Sequence, residues 1–174
     1  EEHIAIDSLC LEVLARLSPV AADLRLILAI IKINTELERM GDQAMNIGYN
    51  TEHYIEDGGI DLQESLKLNL PTMATAVRKM VRDALDAFMK GDTVLAQKVL
   101  ESDDEVDSYK NNIFDTLVTF MRTKPDQIGS ALDLILVARN LERMGDHATN
   151  IAEDVIFACT GEDVRHGVGG HGNE

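Results

Sequence analysis

The chain is short of positive charge: 16 lysines and arginines stand against 31 aspartates and glutamates, for a net charge of −15. That balance argues against sequence-independent binding to nucleic acid, which needs clustered Lys and Arg to displace counterions. It favours cations or basic protein surfaces instead. Cysteine is equally sparse. Cys10 and Cys159 lie far apart without CxxC spacing, which argues against a disulfide framework and for a reducing, cytoplasmic setting. Both fall in apolar helical stretches and read as core residues. No stretch reaches the ~18 consecutive apolar residues that span a bilayer, and the most apolar one, Leu24–Ile33, is interrupted by Arg25 and Lys32. No charged-then-apolar leader is seen. The chain opens in mid-pattern at Glu1-Glu2-His3-Ile4 and reads as a piece lacking its N-terminal part.

Tryptophan is absent, aromatics make up 4%, and there are three prolines, Pro19, Pro71 and Pro125. Between these marks the apolar spacing is helical, with little strand-like alternation. The pattern predicts helices over about 1–17, 20–55, 62–90, 92–122 and 126–160. Pro71 is either tolerated near the start of the third helix or kinks it. The stops are Ser18-Pro19, Asp57-Gly58-Gly59, Gly91-Asp92 with Asp92 as an N-cap, and the tight turn Thr123–Asp126. Residues 161–174, rich in glycine, read as a flexible tail. Turns this short make neighbouring helices antiparallel, so an all-α bundle is expected.

What the chain does have is a repeat. Leu-Glu-Arg-Met-Gly-Asp occurs at Leu37–Asp42 and again at Leu141–Asp146, and more than half of the positions match between Leu28–Ile47 and Leu132–Ile151. A period this long points to duplication of a whole folding unit. The expected arrangement is two similar antiparallel three-helix bundles in tandem. Residues 1–56 would form a partial, N-terminally truncated first unit and residues 62–160 the second.

Each copy carries Glu and Asp four residues apart, on one helix face. On the antiparallel hairpin of the last two helices, reflection about the Thr123–Asp126 turn sets Asp103 level with Asp146 and Asp107 level with Glu142. Four converging carboxylates repel and raise one another's pKa. A multivalent cation removes that cost, and all-oxygen ligation selects hard ions such as Mg²⁺, Mn²⁺, Ca²⁺ or Fe³⁺. Asn150 and Glu153, further along the same stripe, would extend the ligand set. Glu38, Asp42 and Asn46 are the corresponding residues of the first copy, whose opposing pair would fall just before residue 1. The rival reading is an ordinary charged helix face.

Gly41 and Gly145 interrupt neither apolar pattern and suggest a close approach inside a continuous helix. Arg39 and Arg143 read as salt-bridge partners within the bundle, and Met40 and Met144 as packing. His147 is turned off the carboxylate face by its adjacency to Asp146. No GxxxxGK[ST] loop, nucleophile elbow or ferritin-type Glu-x-x-His occurs. No catalytic residue is therefore nominated. The alternative is a carboxylate-bridged metalloenzyme acting on phosphate esters or oxygen.

At Pro19-Val20-Ala21-Ala22-Asp23-Leu24-Arg25, the two Leu-Glu-Arg-Met-Gly-Asp copies and Gly161-Glu162-Asp163-Val164-Arg165-His166, the sequence resembles the PhoU family of phosphate-signalling proteins. The resemblance implies two similar three-helix units and multinuclear metal clusters held by E(D)xxxD pairs. Those pairs map onto Asp103, Asp107, Glu142 and Asp146, and onto Glu38 and Asp42. Iron is the favoured metal, with Mg, Mn or Zn as alternatives. The resemblance further implies a cytoplasmic, non-enzymatic homodimer that regulates phosphate uptake and the phosphate-starvation response. It would do so as an adaptor between a phosphate transporter ATPase and a sensor histidine kinase, reaching the membrane only through those partners.

Overall fold

The computed structural model describes residues 2–60 and 68–164, and every regular element among them is helical. In chain order these are α1 (Glu2–Leu17), α2 (Ala21–Glu56), α3 (Leu70–Lys90), α4 (Thr93–Glu101), α5 (Asp103–Thr123), a 3-10 turn (Pro125–Gln127) and α6 (Ile128–Thr160). None of the described helices is long and apolar enough to cross a membrane.

The boundaries follow local chemistry. Proline disfavours a helical residue before it; α1 stops at Leu17, and Ser18 and Ala21 take the left-handed backbone (φ 46° and 49°) around Pro19. The α2 helix runs for 36 residues, through Gly41, and ends where Gly58 and Gly59 turn the chain at positive φ. Asp92 caps α4, its Oδ1 accepting from the Leu95 amide at 2.9 Å. Pro125 opens the 3-10 turn between α5 and α6, inside the turn anticipated from the sequence.

Two elements differ from the expectation. The helix expected over 62–90 starts at Leu70. Asn69 before it is left-handed (φ 54°), and Pro71 sits in the first turn, where its missing N–H breaks no helical hydrogen bond. The expected start near 62 lies outside the described residues. The helix expected over 92–122 is divided at Ser102. Ser followed by Asp103, Asp104 and Glu105 is a helix-starting sequence, and the three acids sit in the first turn of α5, at the positive end of its dipole.

The described fold divides into two compact units. One comprises residues 1–39, 82–101 and 147–174, and the other residues 40–81 and 102–146. The first has an alanine-rich core, with Ala29, Ala84, Ala87, Ala96, Ala148 and Ala152 buried beside Cys10, Ile33, Val99 and Ile151. Side chains this small let helix backbones approach closely. Arg25 closes its end of α6 by donating from Nε to the Ala158 carbonyl at 3.4 Å. Cys159, expected in the core, is exposed on the last turn of α6, one helical turn beyond buried Val155. Ile4, Leu9, Leu11 and Leu17 of α1 and Leu26 and Leu28 of α2 are also exposed.

The second unit packs longer side chains. Met73, Val77 and Met80 of α3, Val106, Ile113 and Leu117 of α5, and Leu134, Val137, Ala138 and Leu141 of α6 are all buried. Their spacings of three, four and seven put one face of each helix inward. This core fixes α5 against α6 and thereby positions the carboxylates. Of the tail, residues 165–174 lie outside the described residues.

Candidate metal centre

Asp103 and Asp107 stand in the first two turns of α5, and Glu142 and Asp146 one turn apart on α6, all within the second unit. The antiparallel register brings them together. Lys110 bridges the level pair, donating from Nζ to Asp107 Oδ1 at 3.0 Å and to Glu142 Oε1 at 2.8 Å. Asp103 lies at the other end. Burial first, then the charges of Asp146, Asp107, Asp104 and Glu142, push its carboxyl above the usual carboxylate value. Every one of these influences favours the proton, so the local field at Asp103 is negative despite Lys110. Asp103, Asp107 and Glu142 are half-buried and Asp146 is exposed, which leaves the cluster open to an ion from solvent.

Gly145 lies between Glu142 and Asp146 and faces α5 and α3. A Cβ placed on it would stand 3.6 Å from Val106 Cγ1, 3.8 Å from Met80 Cε and 3.9 Å from Asp103 Oδ1. These are ordinary contact distances, so packing alone does not demand glycine. A Cβ on Gly41, the equivalent residue of the first copy, would meet nothing within 4 Å. The close approach expected at both glycines is therefore absent at Gly41 and only moderate at Gly145.

The remaining candidates lie elsewhere. Asn150 and Glu153 belong to the first unit. There Asn150 Nδ2 donates to Glu36 Oε2 at 3.1 Å. Glu153 lines a cleft of about 380 Å³ with Lys32, Glu36, Arg39, Asn150 and Asp154. Asn150 thus uses its amide nitrogen on Glu36. Glu38, Asp42 and Asn46 are exposed on α2, with Glu38 in the first unit and Asp42 and Asn46 in the second.

Two residues that matter were not nominated from the sequence. Lys110 had a legible signal, since it stands three residues after Asp107 and so shares its face. Glu36 had none. It is buried, and its carboxylate is held by Arg39 Nη1 at 3.1 Å, His147 Nδ1 at 2.6 Å and Asn150. Lys32 likewise pairs with buried Asp154 at 3.0 Å. His147 is thus turned away from the carboxylate face, as its position beside Asp146 implied.

All-oxygen donors of this kind suit a hard cation, but the four carboxylates are not drawn to within ligand distance of one another here, and Lys110 holds Asp107 and Glu142. Asp103, Asp107, Glu142 and Asp146 would hold the ion.

The PhoU domain family matches residues 1–51 and 70–155. A phosphate-specific transport system accessory protein PhoU homolog from Pseudomonas putida is 42% identical over 163 residues, covering 92% of this chain and 62% of that protein. The chain therefore spans a little under two thirds of that relative. A homolog of the same description from Zymomonas mobilis is 39% identical, with 93% and 67% covered. The crystal structure of PhoU from Pseudomonas aeruginosa superposes with a TM-score of 0.86 at 39% identity, over 92% of this chain and 75% of that one. The phosphate transport system regulatory protein PhoU from Streptococcus pneumoniae gives a TM-score of 0.82 at 26% identity, over 93% and 74%.

Proposed function

The chain belongs to the PhoU domain family, and from that premise we propose that it is a metal-binding helical regulator of phosphate transport. The observation that carries the regulatory part is 42% identity over 92% of the chain to a phosphate-transport accessory protein. The metal-binding part rests on the mutual proximity of Asp103, Asp107, Glu142 and Asp146, whose charges act on Asp103. A multinuclear cluster is our reading of that site, with iron first and Mg, Mn or Zn as alternatives.

In this reading the protein is a cytoplasmic homodimer. It acts as an adaptor between a phosphate transporter ATPase and a sensor histidine kinase, without catalysing a reaction of its own. Supporting the adaptor role over an enzymatic one, the relatives at 39–42% identity are described as transport accessory proteins. The exposed apolar residues of α1 and α2 offer contact area to a partner or a second copy. The division into a partial first unit (1–56) and a second unit (62–160) belongs to the same proposal and rests on the internal repeat.

A phosphate-starvation reporter in a bacterium deleted for its own homologue tests the regulatory claim. Expression of the chain is expected to lower the reporter several-fold in high phosphate, and the Asp103→Ala/Asp146→Ala variant to lose that repression. A reporter unaffected by the unmodified chain would contradict the proposal.

A further inference from the structure

A second group of ligand-type side chains lies in the second unit, apart from the carboxylate cluster in sequence. We propose that His53, Asp57 and Asp133 form a binding site for a single divalent transition-metal ion. Their ligand atoms lie within 4.8 Å of one another.

The placement begins with the backbone. His53 is in the last turn of α2, and the Asp57 amide donates to the His53 carbonyl at 2.9 Å, so the helical register extends through Asp57. The two side chains, four residues apart, therefore share one face. They stand at the C-terminal end of α2, where the helix dipole favours a cation. Asp133 comes from the second turn of α6.

Asp133 supplies the observation that points to a ligand. The residue is 8% exposed, and its Oδ2 is sealed from solvent without a hydrogen-bond partner. Buried carboxylate oxygens are rarely left so, because the lost hydration is not replaced. His53 Nδ1 stands 3.8 Å from this oxygen, beyond hydrogen-bond reach. The unpaired oxygen thus faces the other two ligands across a gap that an ion would fill by drawing the three atoms slightly inward. A further feature admits the third ligand. A Cβ on Gly129, one turn before Asp133, would come 2.7 Å from Asp57 Oδ2. Glycine is what lets that carboxylate occupy its place.

The donor set decides the class of ion. One imidazole nitrogen and two carboxylate oxygens suit Zn²⁺, Mn²⁺ or Fe²⁺ better than Mg²⁺ or Ca²⁺, which take oxygen alone. The His53 side chain is 71% exposed, so water completes the coordination. The site does not depend on the regulatory reading and differs from the Asp103 cluster in containing a histidine.

Titration of the metal-free full chain with Co²⁺, followed by its visible absorption, tests the site. His53→Ala and Asp133→Asn are expected each to weaken one Co²⁺-binding step by at least about tenfold, and Asp103→Asn/Asp146→Asn to leave that step in place. His53 is on the surface, so its variant stays folded even if Asp133→Asn does not. Zn²⁺ should shift the His53 Nδ1 resonance in ¹⁵N spectra, as direct ligation requires. Unchanged Co²⁺ affinity in His53→Ala, or a His53 Nδ1 resonance that ignores Zn²⁺, overturns the proposal.

Discussion

Asp103 is the residue on which the electrostatics of the carboxylate cluster concentrate. Its level neighbour Asp146 was readable from reflection about the 123–126 turn, because helical rise and antiparallel packing leave little freedom in register. Lys110 was not anticipated, although its spacing from Asp107 carried the signal. It supplies the counter-charge for Asp107 and Glu142, while Asp103 keeps a carboxyl raised by burial and by the surrounding acids. A folded-state pKa raised above the unfolded one contributes stability that is fully present below the unfolded value and lost as pH rises through the folded value. Asp103 should therefore weaken the metal-free fold as pH rises above the ordinary carboxylate range, about pH 4. Asp103→Asn removes a half-buried charge and its repulsion by Asp146, Asp107, Asp104 and Glu142. In EDTA-treated protein it should match wild type near acid pH and exceed it at neutral pH by about 0.2–0.5 kcal/mol, the scale of one like-charge pair. Urea denaturation at both pH values measures this, and a difference that does not grow with pH would contradict the charge balance described.

At the scale of elements, most helix ends were legible where proline or glycine marked them: Pro19, Gly58-Gly59, Gly91 and Pro125 each fall at the anticipated turn. The break at Ser102 was hidden because the apolar spacing runs through it from Val99 to Val106, both buried. The helix start at Leu70 was obscured similarly, since Asn69 turns left-handed without a glycine to announce it. The two helix-interior glycines give a sharper case. A helix-interior glycine costs about 1 kcal/mol relative to alanine, and neither Gly41 nor Gly145 is required by a steric clash. Gly41→Ala and Gly145→Ala should each raise stability by about 0.5–1 kcal/mol in metal-free protein, as read from thermal or urea unfolding. A destabilised Gly145→Ala would show that Val106 and Met80 cannot yield the little room a methyl needs. If Gly145→Ala also weakens metal binding, the glycine serves ligand access to the cluster beside Asp103.

For the whole molecule, the all-α class followed from periodicity, and superposition on two PhoU crystal structures agrees with it. The compact units were not legible. Each long helix, α2 and α6, contributes to both, and no composition shift marks residue 39 or 146. The same division assigns Asn150 and Glu153 to one unit and Asp103 to the other. The metal-binding part of the proposed function rests on the Asp103 cluster. Metal analysis of the freshly purified chain against its Asp103→Ala/Asp146→Ala variant, with circular dichroism to verify that both are folded, tests this most directly. The account predicts that the variant loses about one or more ions per chain while keeping its helicity; equal metal content in two folded proteins would contradict it.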